Sequence, residues 1–181
     1  MTNLFVIAGV AAIGAVMLFA ARTQALDTAP LSETHKQRIV ANCTSAKASL
    51  QQLHRSDASL RLNRGQLYEF ISTKLMARLN SRIALNRLDG TELVAAAVRY
   101  ERALNDFRER YRLYEEQLSA VLRINCSKQP EVFYYQVQEV QEKRRSVGDV
   151  TDELEKYIVG YYEVFERFSH DYTVALKGVT Q

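Results

Sequence analysis

Residues 93–125 read LVAAAVRYERALNDFRERYRLYEEQLSAVLRIN, and apolar side chains recur along this stretch at alternating steps of four and three residues. The members of this series are Leu93, Ala97, Tyr100, Leu104, Phe107, Tyr111, Tyr114, Leu118, Val121 and Asn125. The spacing predicts one amphipathic helix of about five heptads. Because one apolar stripe of that length needs neighbours to cover it, we place this helix in the middle of a bundle.

The segments on either side carry stripes of similar spacing. Together the three stripes cover residues 39–83, 93–125 and 133–172. The reversals between them, at residues 89–92 and 125–129, are short and therefore join antiparallel neighbours. Gly90 is expected to adopt the left-handed conformation in the first reversal. The sequence predicts an all-α fold, an antiparallel up-down-up bundle of three long helices over residues 32–176, followed by a tail at 177–181.

The first helix is predicted to be irregular. After Leu67 its stripe changes from four-three spacing to steps of four, a stutter that unwinds a supercoil locally. Gly65 adjoins this change, and Ser56 and Asp57 are weaker helix formers than the residues around them. We therefore expect a kink or break between residues 56 and 65.

An apolar run stands near the start of the chain. Residues 4–21 read LFVIAGVAAIGAVMLFAA, which is 18 residues without a charge. As a helix this run would measure about 27 Å, close to the hydrocarbon thickness of a bilayer. The length of the run and the lack of Lys or Arg before it favour an uncleaved transmembrane anchor at residues 1–22 over a cleaved signal peptide. Residues 23–31 are then a linker.

Two signals disagree on which side of the membrane the bundle lies. The basic residues Arg22, Lys36 and Arg38 follow the apolar run and none precedes it, which favours a cytoplasmic bundle. Cys43 and Cys126 are two in number, stand near predicted helix ends and belong to no zinc-ligand pattern. They therefore favour a disulfide, which would place the bundle outside the cytoplasm. We give the cysteines more weight and predict an extracytoplasmic bundle.

The predicted register complicates this pairing. Folding the chain about its reversals places Cys126 opposite residue 53, and ten helical residues separate that level from Cys43 by about 15 Å. A disulfide needs Cα atoms within about 7 Å. Either the first helix is broken or the two cysteines are free.

The same register suggests two further features. It brings Arg64, Glu115 and Arg144 to one level, where they form a buried polar layer or, alternatively, extend to the surface. It also leaves the third helix longer than its neighbours from Arg167 onward, so that Phe168 and Tyr172 are free to contact a partner. The tyrosines outside the stripes, Tyr134, Tyr157 and Tyr162, either fill the rim of the bundle or contribute to such a surface.

The composition excludes several classes of function. The net charge is +3 with both signs mixed along the helices, which is unlike the clustered basic face of a nucleic-acid-binding protein. The three histidines form no metal-binding motif, and Glu166 with His170 is read as an exposed helix pair. No Gly-rich phosphate loop or nucleophile motif is present in the sequence. We therefore predict a protein that is not an enzyme and needs neither metal nor cofactor.

One resemblance to a known group rests on short runs. Residues 63–69 (NRGQLYE), 74–76 (KLM) and 79–82 (LNSR), with the surroundings of Cys43 and Cys126, resemble a group of uncharacterised, exported, single-pass helical proteins of small-genome candidate-phyla bacteria. The resemblance covers the soluble part, about residues 39–168. It implies a membrane location and no known activity.

These observations predict a membrane-anchored, extracytoplasmic helical module that serves as an interaction or scaffold element, with a protein partner or a second copy of itself. A sensory or ligand-binding bundle built around the polar layer is the first alternative. A coiled-coil tether that faces the cytoplasm is the second.

Overall fold

The computed structural model of this chain describes residues 30–179. The helices are α1 (Glu33–Phe70), α2 (Ala77–Leu85), α3 (Thr91–Arg123) and α4 (Pro130–Val179), and a π-helical segment, Ile71–Met76, joins α1 directly to α2. We call Ile71–Met76 the π segment. Because α1, the π segment and α2 run on as one rod, the described residues form three long helices packed antiparallel, and the predicted all-α bundle is confirmed.

Helix α3 forms the middle of the bundle, as its stripe predicted. The positions of the predicted series from Leu93 to Val121 are buried except Ala97, which is partly buried, and the polar Asn125 is exposed. Side chains of α1 and α4 cover this stripe from two sides and form two adjoining core clusters, one toward each end of the bundle. The central helix therefore supplies most of the buried apolar surface.

The two reversals are held by side-chain caps. At the second reversal the Oδ1 of Asn125 accepts hydrogen bonds from the backbone N–H of Ser127 and of Lys128, at 3.2 and 3.1 Å. Pro130 then begins α4, a position where its missing N–H leaves no helical hydrogen bond unmade. The reversal thus lies between Arg123 and Pro130, close to the predicted residues 125–129.

The first reversal differs from the prediction in one respect. Gly90 has a φ of −112°, and the left-handed residue is Arg87, with a φ of 57°. Glycine is required at position 90 for a different reason, because a Cβ there would lie 2.7 Å from Cγ2 of Ile83. The turn therefore closes through tight packing of Gly90 against α2.

The predicted kink between residues 56 and 65 is wrong. Helix α1 is continuous through that region, and the irregularity is the π segment. At its start the hydroxyl of Tyr100 donates a hydrogen bond to the backbone carbonyl of Tyr68, at 3.0 Å. A side chain that bonds a helical carbonyl in this way disturbs the local hydrogen-bond ladder. The wider π turn lets Met76 and Ile83 face the core on the same side as Tyr68 and turns Leu75 outward.

The predicted apolar stripe of α1 packs against the bundle only in the first half of the helix. Ile39 and Leu50 are partly buried against α3 and the second reversal, whereas Leu60 and Leu67 are exposed. The prediction placed Leu60, three residues after Asp57, on the side of α1 that faces α3. In the structure the residues on that side are Arg61, four residues after Asp57, and then Gly65. The expected apolar seam of residues 60–67 is therefore not formed.

No helix within residues 30–179 is both long enough and apolar enough to cross a membrane. The anchor predicted at residues 1–22 lies outside the residues that the structure describes.

Candidate functional site

One concave surface is an apolar groove between the α2 side of the bundle and the middle of α4. Its volume is about 570 Å3. The residues that line it are Ile71, Lys74, Leu75, Met76, Arg78, Leu79, Arg82, Ile158, Tyr161, Tyr162 and Phe165. We call this surface the apolar groove.

The groove exists because its two walls pack on α3 and not on each other. No Cα atom of the π segment or of α2 lies within 8 Å of a Cα atom of α4. The hydroxyl of Tyr161 donates a hydrogen bond to Oδ1 of Asn80 at 3.0 Å, and this bond bridges the gap between the two walls. Burial raises the pKa of Tyr161 to about 12, so this hydroxyl stays protonated and remains a donor.

Large apolar side chains in the groove are open to solvent. Leu75 is 52% exposed and Tyr162 is 56% exposed, while Met76 is buried. Contiguous apolar surface of this kind on a folded domain marks an interaction or ligand site more often than chance exposure. Tyr162, which was predicted either to fill the rim or to face a partner, is exposed here, and its hydroxyl bonds Glu166 on its own helix at 2.6 Å, just as that of Tyr157 bonds Glu153 at 3.0 Å.

One edge of the groove is basic. Lys74, Arg78 and Arg82 are exposed and follow one another at steps of four residues, which places them on one face of the rod. We call these three residues the basic row. Within residues 30–179 their side chains form no ion pair and no hydrogen bond, and no acidic residue lines the groove. The groove is therefore an apolar surface with an uncompensated positive edge.

A polar layer lies further along the bundle, and it shares only Arg144 with the predicted one. Asp57 is 8% exposed and accepts hydrogen bonds from Nε of Arg144 at 2.7 Å, from Nη2 of Arg144 at 3.2 Å and from the hydroxyl of Tyr114 at 2.7 Å. Burial alone would raise the pKa of Asp57, but the bonds from Arg144 and Tyr114 outweigh it, and the pKa lies below its usual value. The layer of Asp57, Tyr114 and Arg144 ties all three helices together.

The predicted layer of Arg64, Glu115 and Arg144 is not formed. Arg64 is exposed and lies 3.4 Å from Glu155, and Glu115 bonds His54 and the hydroxyl of Tyr111. Asp57 occupies the level that the prediction gave to Arg64. These two positions are one heptad apart, and a shift of one heptad keeps the same face of the helix inward. The stripe therefore specified the face of α1 as far as Asp57 but not its level along α3.

A second, smaller cavity of about 360 Å3 opens beside the polar layer. Arg61 and Arg64 line it together with the apolar side chains of Leu60, Phe107 and Val147. The guanidinium of Arg61 lies over the ring of Tyr111, 4.9 Å from its centroid, and forms no ion pair with a residue in the described part of the chain. Asp57 and Asp152 also line this cavity, so it combines apolar walls with side chains of both charges.

Cys43 and Cys126 come together at disulfide distance, with 5.6 Å between their Cα atoms. This happens without the break in α1 that we considered necessary. Ile124 has an extended backbone, which carries the chain further per residue than a helix does, and the π turn shortens the rod. Both effects are small, and the larger part of the displacement is the shift of about one heptad already present where Asp57 meets Tyr114. Lys47 supports the junction by donating to the carbonyl of Ile124 at 3.1 Å.

The predicted overhang of α4 begins later than expected. Phe168 is partly buried against the core cluster near the first reversal, so it is not free for a partner. Tyr172 stacks on Phe168 with 6.4 Å between ring centroids and is 43% exposed. Of the two residues predicted to contact a partner, Tyr172 alone is largely accessible.

Sequence reasoning missed the basic row. A signal was present, because residues 71–85 contain three basic and no acidic residues, and the basic ones recur at every fourth position. Within residues 30–179 no group of His, Cys, Asp or Glu side chains is arranged to hold a metal ion. No protein-family model, curated protein or solved structure matches this chain.

Proposed function

We propose that the chain is a membrane-anchored helical interaction module whose bundle lies outside the cytoplasm and binds a protein partner in the apolar groove. The observation that carries the proposal is the exposure of Leu75 and Tyr162, each more than half open to solvent in a groove of about 570 Å3. Burial of such side chains by a partner is favourable by roughly 25 cal/mol for each Å2 of apolar surface removed from water.

The shape of the groove favours a macromolecular partner. It follows residues 71–82 of the rod, which is about 18 Å of helix. It is open along its length and has helices as its two walls, an arrangement that accepts an amphipathic segment better than a compact metabolite.

Photo-crosslinking tests this proposal. A photo-reactive phenylalanine derivative replaces Leu75 in one variant and Leu113, an exposed residue of α3, in the control. We expect a discrete protein adduct from position 75 and none from position 113 in cells that make the protein naturally. Adding Tyr162→Asp to the first variant should remove the adduct. Equal capture from both positions, or capture insensitive to Tyr162→Asp, would contradict the proposal.

The proposed location is supported by the apolar run at residues 4–21 and by the Cys43–Cys126 pair. Ser59 is exposed, so Ser59→Cys offers a reactive thiol on the bundle. A membrane-impermeant maleimide should label this thiol on intact cells. Protection until the cells are lysed would instead support a tether that faces the cytoplasm.

The cavity beside the polar layer favours a second candidate function, the binding of a small anionic ligand with an apolar body. The observation behind it is Arg61, whose guanidinium lines the cavity without a carboxylate partner among residues 30–179. An anilinonaphthalene sulfonate dye is a suitable probe because it combines an anion with aromatic rings. Saturable binding of one dye per chain that Arg61→Ala weakens at least about tenfold would support this candidate. Binding unchanged by Arg61→Ala would exclude this site.

A further inference from the structure

We infer that the segment that binds in the apolar groove is an amphipathic helix of about three turns that carries acidic residues at every fourth position along one flank. This inference rests on the proposed function and adds the chemistry of the partner. It is argued from the basic row and from the two walls of the groove.

Charge is the first argument. The basic row is three positive charges along one edge, with no ion pair or hydrogen bond to any residue between 30 and 179. The opposite wall contributes Ile158, Tyr161, Tyr162 and Phe165, none of which is charged. A complementary partner therefore needs an apolar face and negative charge on one flank only.

Spacing is the second argument. Lys74 and Arg82 are eight residues apart, which is about 12 Å along a helix. Three acidic residues at positions i, i+4 and i+8 of a partner helix cover the same length and lie on one face. An extended strand with acidic residues at i, i+2 and i+4 covers about 13 Å and would also reach the row, but its other side chains point to the opposite face, so it cannot present an apolar face and an acidic flank side by side. The repeat of the basic row thus matches a helix.

The composition of the chain argues against a second copy as the occupant. No three acidic residues stand at positions i, i+4 and i+8 anywhere in the 181-residue sequence. Asp149 and Glu153 are the one acidic pair four residues apart, and Tyr157 occupies the third position of that series. A partner with the required flank is therefore a different protein.

Two charge-reversed variants test the inference. In the first, all three residues of the basic row are replaced by Glu; in the matched control, the exposed Arg38, Arg55 and Arg123 are replaced by Glu, so that the net charge is the same. All six positions are exposed, and circular dichroism of both variants verifies the fold. Both variants also carry the photo-reactive residue in place of Leu75.

We expect the adduct from position 75 to fall at least about tenfold in the first variant and to change less than about twofold in the control. Mass spectrometry of the adduct should identify a peptide with acidic residues at i, i+4 and i+8 beside an apolar stripe. A synthetic peptide of that sequence should bind the wild-type bundle more weakly as salt increases.

Each other outcome overturns a defined part of the reasoning. An adduct with a protein segment that lacks the acidic flank refutes the inference and leaves the proposed function intact. An adduct with a second copy of this chain, or one that resists reversal of the basic row, also refutes the inference. Absence of any protein adduct at position 75 refutes both.

Discussion

Loss of the disulfide should remove a large part of the stability of the bundle. Cys43 and Cys126 are separated by 83 residues. For a loop of that length the chain-entropy relation gives about 15 cal/mol/K, which corresponds to about 4.5 kcal/mol. Domains of this size are stable by only about 5–15 kcal/mol, so the reduced protein should be marginal.

The effect should be largest in the first half of α1. This 38-residue helix buries only Asp57 and Tyr68 completely, and both lie in its second half. Ile39 and Leu50 are only partly buried, so the helix before Asp57 depends on its attachment at position 43. Hydrogen exchange should show amides of residues 33–56 losing protection before those of α3.

Urea unfolding followed by far-UV circular dichroism measures the change. The comparison is between the oxidised wild type and the Cys43→Ala, Cys126→Ala double variant. With a urea dependence of about 2 kcal/mol/M, the midpoint should fall by about 2 M. The matched control is Ser45→Ala with Ser127→Ala, two exposed neighbours that should change the midpoint little. A loss below about 1 kcal/mol in the double variant would refute the chain-entropy reasoning.

Three further features, probed by four substitutions, should have distinct effects on unfolding. Asp57→Asn should cost about 1–2 kcal/mol at neutral pH, since half of its ion pair is solvent-exposed. Because the folded pKa of Asp57 lies below its ordinary 3.8, its contribution is present above that pH and is lost as the pH falls through the lowered pKa. Gly90→Ala should cost about 1–3 kcal/mol through its contact with Ile83, whereas Gly65→Ala, with open space around it, should stabilise by about 0.5–1 kcal/mol. Tyr100→Phe should cost about 1–2 kcal/mol by removing the donor at the π segment.

Equilibrium unfolding checks all three, with a different comparison for each. For Asp57→Asn the difference from wild type should shrink on acidification, and a difference independent of pH would contradict the assignment. Gly90→Ala and Gly65→Ala should have opposite signs, so equal signs would be inconsistent with the packing at position 90. Tyr134→Phe is the control for Tyr100→Phe, because Tyr134 is exposed and its loss of a hydroxyl should be neutral.

The stripe of α3 could be predicted from sequence because α3 is covered on two sides. A helix in that position needs apolar residues at nearly all four-three positions, so its pattern is strong and continuous. Helix α1 is covered mainly by α3, and Leu60 and Leu67 continue the pattern without being buried. Periodicity in a partly covered helix therefore overestimates its core.

The level at which helices meet could not be predicted from the stripes. Sliding α1 by one heptad along α3 keeps the same face of α1 toward α3. The stripes alone therefore could not decide whether Asp57 or Arg64 lies at the level of the polar layer until the geometry of the turns was known. The stutter after Leu67 marked the region where the rod changes, but the hydrogen bond between Tyr100 and Tyr68 at the start of the π segment joins residues 32 apart in the chain. Local spacing contains no information about such a contact.

The apolar groove is a consequence of divergence between helices. Leu75 fits the predicted core stripe, and local sequence cannot reveal that the neighbouring α4 lies too far away to cover it. The sequence shows the basic row within a segment that has no acidic residues. A binding role for the row can be inferred only from the groove beside it. Side chains with ordinary spacing thus acquire a role only through the arrangement of whole helices.

The bond between Cys43 and Cys126 also determines how the molecule carries mechanical load. It closes a covalent ring of the chain between those residues, and Cys126 stands four residues before Pro130 at the start of α4. Tension applied between Glu33 and α4 passes straight across this bond. The remainder of α1, the π segment, α2 and α3 lie inside the ring and outside the path of the force. The wall of the groove that carries the basic row is therefore not part of the covalent connection that carries this tension.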